Sequence, residues 1–311
     1  MDKLQAMKTF VRVVEAGSFS AVAHEADTTQ SAVSKQVAAL ERVLGARLLT
    51  RTTRSLALTE EGERYFDQAR RLLAEIAEAE SALRRGEQQL SGWLRIAASV
   101  GYGRLKLMPL VKAFLADHPG VKIDLRLHDG FVDLVEQGID VAVRIGELAD
   151  SSLVARRIGT TRRLLVAHRG YLRSLPKASR VLRQPEDLAG HNCVVYTEIA
   201  ARNVWSFTAG PGASLPVGTI SAVRVEGNLQ TNSSEVIRAS VLTGMGIGHS
   251  PTWLFDEELA NGEVQRLLPD WEAVPVPIHL VTPRERRNSA KVKAFADYVA
   301  RAMPQREPGP A

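Results

Sequence analysis

Gln30-Ser31-Ala32-Val33-Ser34-Lys35-Gln36-Val37-Ala38-Ala39-Leu40-Glu41-Arg42-Val43-Leu44 is the stretch from which the fold of this chain is read. Val33, Val37, Leu40 and Val43 with Leu44 recur three and four apart, a spacing that lines side chains along one buried helical stripe. The opposite face carries Gln30, Ser31, Ser34 and Lys35, small donors and acceptors with one cation. Upstream, the run from Ala16 to Ala26 reads as a shorter helix, with Ser18 or Ser20 placed to satisfy its first backbone N–H groups. Asp27-Thr28-Thr29 breaks the chain between the two helices. Such a pair suits a second helix whose first turns enter the major groove of DNA and touch base edges and phosphates. Taken alone, it also fits an ordinary helical pair with a solvated basic face.

Charge and the following residues decide between these. Residues 1–27 hold three Lys/Arg against four Asp/Glu, whereas residues 28–59 hold five Lys/Arg against Glu41 alone. The basic charge therefore begins with the second helix. Gly45 can stop that helix with a left-handed cap. Ala46 to Thr59 then reads as two short strands around a basic turn, the wing of a winged helix-turn-helix. Arg51 and Arg54, flanking Thr52 at the tip, have the reach to enter a minor groove or pair with phosphates. The candidate DNA-reading set is Thr29, Gln30, Ser31, Ser34, Lys35, Arg51, Thr52 and Arg54.

With these residues in view the chain closely resembles the LysR-type transcriptional regulators. The resemblance is carried by Met7, the run Phe10 to Phe19, the run Gln30 to Val37, Leu40-Glu41, Leu44-Gly45, Leu48-Leu49, Arg51-Thr52-Thr53-Arg54 and the run Leu58 to Gly62. It continues in Phe131-Val132-Asp133-Leu134-Val135, in the run Asp140 to Gly146, and in Gly244-Met245-Gly246-Ile247-Gly248. Position 35 holds Lys where many members hold Arg, a point charge in place of a bidentate fork. The resemblance implies a winged helix-turn-helix over 1–59, a dimerising linker helix over 60–90, and an effector-binding domain over 91–303. That domain would comprise two Rossmann-like α/β subdomains of periplasmic-binding-protein type. Subdomain I would span about 91–161 and 268–303, and subdomain II about 162–267, with the terminal helix returning to the first. It further implies a homodimer or homotetramer on promoter DNA, a small-molecule effector, and RNA polymerase as a partner.

Composition sets the bounds. A chain of 311 residues predicts two or three domains. Hydrophobic content of 45% with 24% charged residues is that of an ordinary globular protein, and the net charge of +5 matters less than its concentration at residues 28–59. Cys193 is the single cysteine. No disulfide framework or multi-thiolate metal site can be built within one chain, and a reducing cytoplasm is expected. No apolar run approaches the length of a membrane span, and no signal peptide is visible.

From Glu60 to about Gln89 the chain reads as one long polar helix. Tyr65, Ala69, Leu72, Ile76, Ala79 and Leu83 alternate four and three apart, the heptad spacing of a coiled coil. So narrow a stripe needs a partner, either its own domain or a second copy, and dyad DNA sites favour the second copy. Beyond Gly92, strands alternate with helices, which predicts open α/β sheets with right-handed crossovers. Strands are expected around 93–98, 121–127, 141–145, 163–167, 194–196, 223–225 and 278–281. Helices are expected at Arg104–Leu115, Phe131–Glu136, Ser233–Leu242 and Ala290–Ala302. The tail 304–311 reads as disordered.

Ligands of open α/β sheets sit beyond the carboxyl ends of strands, near helix N-termini that favour anions. Ser99-Val100-Gly101 has that character, with a plain helix cap as the bland reading. Arg144 offers a cation for a carboxylate, or else an interdomain salt bridge. Asn232 opens a capping-box sequence and is expected to cap its helix. The backbone at Gly246 and Ile247 completes the expected effector set, for an organic anion. Gly244-Met245-Gly246-Ile247-Gly248 lacks the spacing and the preceding strand of a dinucleotide loop, so its glycines are read as permitting a close ligand or a crossing strand. The seven histidines are scattered, with no metal-ligand pair. No nucleophile has an acid–base partner at a useful spacing, so neither an enzyme nor a cofactor is expected. A transport solute-binding protein is disfavoured by the basic wing, and a ligand-free architectural protein by the long α/β half.

Overall fold

The structure, a computed structural model, describes residues 2–51, 56–84, 90–148, 152–199 and 201–303. Thr52 and Arg54 at the wing tip, the side chains of Arg51, Ala79 and Leu83, and the tail 304–311 lie outside what is described. The chain divides between Gly92 and Trp93 into two compact units.

In the first unit, α1 spans Lys3–Ala16, α2 Phe19–Glu25 and α3 Gln30–Leu44. Each begins on a side-chain cap: Asp2 accepts from Leu4 and Gln5, Ser18 from Ala21, and Thr29 from Ala32. Gly17 at φ 63° and Gly45 at φ 68° end α1 and α3 in the left-handed region, where glycine carries no steric penalty. Phe10, Val13, Val22, Val33, Val37, Leu40 and Leu48 form the shared core. Val43 is a correction to the expected stripe: it is 59% exposed, because the four-residue step from Leu40 lands on Leu44. The wing strands β1, Leu49–Arg51, and β2, Leu56–Leu58, pair antiparallel with Leu49 opposite Leu58. Glu41 accepts from the N–H groups of Leu48 and Leu49 at 2.8 and 3.2 Å, so the one acid of the basic segment ties α3 to the wing.

The long helix α4, Glu60–Arg84, corrects part of the heptad reading. Ala69 is fully buried in the core of its own unit, and Tyr65 packs there with its ring centroid 5.7 Å from that of Phe10. The intramolecular reading therefore holds for the first turns, because α1 covers that face of α4. Leu72 is 48% exposed and Ile76 half-buried.

The second unit runs β3 Gly92–Ala98, α5 Val100–Tyr102, a π turn Gly103–Leu107, α6 Met108–Asp117, β4 Val121–Leu127, β5 Val141–Ile145 and β6 Leu153–Thr161. There follow β7 Arg163–His168, α7 Arg169–Ser174, β8 Cys193–Tyr196, β9 Val204–Ala209, β10 Ile220–Arg224, β11 Gln230–Thr231 and α8 Ser234–Leu242. The remainder is β12 Ile247–Pro251, α9 Asp256–Ala260, β13 Val264–Leu267, β14 Trp271–Glu272, β15 Val276–Pro283 and α10 Ala290–Ala302. One five-stranded sheet has the order β4-β3-β5-β15-β6 and the other β11-β8-β12-β7-β13. Both are mixed, because β15 runs antiparallel to β5 and β6, and β7 antiparallel to β12 and β13. The chain passes from the first lobe to the second at Arg162, between β6 and β7.

Its return comes later than residue 267. A third sheet, β10-β9-β14, packs onto the second lobe, and Trp271 is buried there beside Leu268, Phe207 and Ile247. Residues 268–272 therefore belong to the second lobe, with Leu268 and Trp271 in its core. The expected helix Phe131–Glu136 is also corrected: this segment is a turn. The Asp133 carboxylate accepts from Val135 and Glu136, satisfying locally the N–H groups a helix would have used.

Candidate functional sites

The α3 helix presents Thr29, Gln30, Ser31 and Lys35 exposed along its first turns, with Ser34 half-buried between them. The Thr29 hydroxyl is engaged as the cap, 3.2 Å from the Ala32 nitrogen. The helix is held from behind. Its Gln36 accepts from the Thr9 hydroxyl of α1 at 2.7 Å, and Val33, Val37 and Leu40 are buried. A helix packed from behind, with a polar front and the wing strands tied to its end, is the geometry that reads a major groove. Side chains on such a scaffold are placed by packing, which is what base readout requires.

The second site is a cavity of about 280 Å³ in the other unit, lined from both lobes. The first lobe contributes Ser99 at the end of β3, the turn His128 to Val132, and Arg144 near the end of β5. The second contributes Arg163, Tyr196, Glu198, Ser234, His249 and Trp253. Polar bridges tie the lobes around it. Arg104 pairs with Glu235 at 3.0 Å and Lys106 with Asp256 at 2.7 Å. Asp129 joins both lobes, accepting from the Val100 N–H at 2.9 Å and the Ser234 N–H at 2.7 Å.

Of the residues read from sequence, Ser99 and Arg144 line the cavity. Val100 and Gly101 sit just behind Ser99, with the Val100 N–H taken by Asp129. Asn232 is exposed and does not line the cavity; Ser233 caps α8, a correction to the expected role of Asn232. Gly246 and Ile247 also lie outside the lining. A Cβ on Gly246 would stand 2.2 Å from the Asn192 carbonyl oxygen, so this glycine permits a close strand approach. Ile247 is fully buried and donates to that same carbonyl.

Sequence reading did not single out Asp129, Arg163, Tyr196, His249 or Trp253. Arg163 could have been noticed as a cation opening an otherwise apolar strand, Leu164-Leu165-Val166-Ala167. Asp129-Gly130 could have been noticed as a turn directly after β4. Burial pushes the Arg144 and Arg163 guanidiniums below their ordinary value, and lowers His249 to about 3. Cys193 is fully buried, and burial pushes its thiol up to about 12, leaving almost no thiolate to react. Among the described residues no helix is long and apolar enough to cross a membrane, and no three His, Cys, Asp or Glu side chains gather as a metal site.

Both units match known families. Residues 4–63 match the bacterial regulatory helix-turn-helix family of lysR type, and residues 87–304 match the LysR substrate binding domain. The chain is 33% identical to the uncharacterized HTH-type transcriptional regulator YhjC of Escherichia coli, over 97% of this chain and 98% of that one. It is 32% identical to the HTH-type transcriptional regulator CrgA of Neisseria meningitidis, over 96% of each. The solved structure of CrgA from Neisseria meningitidis aligns with a TM-score of 0.60 at 31% identity, covering 96% of this chain and 98% of that chain. That of the Vibrio cholerae virulence activator AphB aligns with a TM-score of 0.57 at 29% identity, covering 95% and 98%. The chain therefore belongs to the LysR family of transcriptional regulators, with a helix-turn-helix that binds DNA and an effector-binding domain in place of any catalytic one.

Proposed function

We propose that this regulator works in the cytoplasm as a homodimer or homotetramer on paired promoter half-sites, with RNA polymerase as the partner its output reaches. A small organic anion entering between the lobes changes their relative angle, and with it the spacing of the paired DNA heads. The observation that carries this reading is the cavity of about 280 Å³ walled by both lobes, with Ser99 and Arg144 in its lining. A ligand touching both walls has different contacts in the open and closed arrangements, and only such a difference can shift a conformational equilibrium.

Arg144→Ala is expected to leave ligand-free DNA binding nearly intact and to reduce the ligand-dependent change. Thermal shift with a panel of carboxylates tests it, since a ligand at a hundred times its dissociation constant stabilises by about 2.7 kcal/mol. An intact response in the variant takes Arg144 out of the anion's contacts, and stabilisation by cationic compounds only would sink the anion reading.

The DNA-reading residues divide by role. Arg51 and Arg54 on the wing act on phosphates or groove shape, so alanine at either weakens binding to all sequences and lowers the salt slope by about one unit. Alanine at Gln30, Ser34 or Lys35 instead loses preference at particular base pairs, at about 1–3 kcal/mol each. Titrations at several salt concentrations on specific and scrambled duplexes separate the two. An unchanged slope with altered base preference in the wing variants contradicts the assignment.

A further inference from the structure

The charges around the cavity are unequally satisfied. Asp129 is fully engaged: one oxygen accepts from the Val100 N–H at 2.9 Å, the other from the Ser234 N–H at 2.7 Å, and the Ser234 hydroxyl reaches both at 3.2 and 3.0 Å. The backbone donors at the starts of α5 and α8, one from each lobe, thus already hold a carboxylate from the chain itself. Arg144 is engaged as well, donating to the Val132 carbonyl and lying 4.5 Å over the Phe131 ring. Arg163 is different. Its guanidinium sits 5.9 Å from the centroid of Tyr196, and among the described residues it has no acid and no hydrogen-bond acceptor. Two further groups of the same lining lack partners: both ring nitrogens of His249 and the indole nitrogen of Trp253 are shut off from solvent without a hydrogen bond. The neutral His249 ring can donate at one nitrogen and accept at the other. A desolvated cation without a counter-ion is costly, and so are orphaned buried donors. An anion arriving at this wall supplies the Arg163 guanidinium with the counter-ion it lacks.

Resting on the reading of the cavity as the effector site, we infer that the anionic group of the effector binds Arg163 on the second lobe's wall, beside His249 and Trp253, while Asp129 keeps it off the helix starts. The lining narrows the class. Phe131, Ile237 and Leu254 surround the polar groups with apolar surface, and the exposed Glu198 with Asp129 would repel a second carboxylate. The ligand class is therefore a monocarboxylate with an aromatic or branched apolar body.

Thermal shift and calorimetric titration of the full chain with benzoate, phenylacetate and 4-methylpentanoate, their amides, and the dicarboxylate phthalate test this. At least one monocarboxylate stabilises the wild type, while its amide and phthalate do not. Arg163→Gln raises that ligand's dissociation constant by about ten- to a hundredfold, the loss of a charge-assisted hydrogen bond, and leaves the ligand-free melting temperature unchanged or higher because no internal ion pair is lost. Should the glutamine variant not fold, Arg163→Lys keeps the charge without the fork and weakens binding by a smaller factor. A monocarboxylate response that persists undiminished in both Arg163 variants but is lost in Arg144→Ala overturns this inference and leaves the proposed function standing. No response to any carboxylate, or equal responses to the amides, overturns the anionic-effector reading and this inference with it.

Discussion

Leu72→Asp/Ile76→Asp is expected to sediment as a monomer at micromolar concentration, with the α/β unit still folded. Promoter affinity falls with it by about a hundred- to ten-thousandfold, because two half-sites no longer hold linked heads. On α4, apolar surface open to a second copy begins past Ala69. Tyr65 and Ala69 are consumed by their own unit, whereas Leu72, one turn further along α4, is 48% exposed in the single chain. An exposed leucine on a helix with so narrow an apolar stripe gains by meeting its copy, and two aspartates there desolvate without a partner. Tyr65→Ala separates the roles: it weakens the DNA-binding unit without dissociating the assembly. A double-aspartate variant that stays dimeric places the interface elsewhere.

The winged helix-turn-helix was legible because its signals are local. The spacing Val33, Val37, Leu40, Leu44, the left-handed Gly45 and the basic run to Arg54 each act over one or two turns. The α4 stripe was only half legible. Packing on a neighbouring helix of the same chain and packing on a second copy both demand residues three and four apart, so Tyr65 and Leu72 look alike in sequence. Phe131–Glu136 misled for a different reason: its apolar spacing is helical, but Asp133 takes the N–H groups and Arg144 the Val132 carbonyl. The glycines around β12 read equally as a ligand loop or a crossing strand. The crossing prevails: a Cβ on Gly248 would stand 2.8 Å from Val241, and Gly246 presses on Asn192. The cavity's polar set was least legible. Asp129 meets Ser234 across 105 positions, and the lack of a partner at Arg163 is a property of the assembled lobes that no local pattern encodes.

Phe10→Ala is expected to destabilise the DNA-binding unit by about 3–5 kcal/mol, the cost of emptying a fully buried aromatic site. The ring is 0% exposed, with centroids 5.7 Å from Tyr65 and 6.3 Å, nearly edge-on, from Phe66. It stands where α1 meets α4, in the same core that backs α3. Its removal therefore loosens the recognition helix and the root of the linker helix together, although it touches neither DNA face. A unit of this size holds only about 5–15 kcal/mol of stability, so the loss is a large share of the whole. Calorimetry of the full chain is expected to show the transition of residues 2–92 moving down sharply while that of the α/β unit stays put, and DNA binding at growth temperature should fall with the folded fraction. Phe10→Leu, which keeps most of the volume, is expected to lose much less. A deficit below about 1 kcal/mol for the alanine variant, the size of an ordinary surface substitution, would mean that α4 is not anchored on this ring.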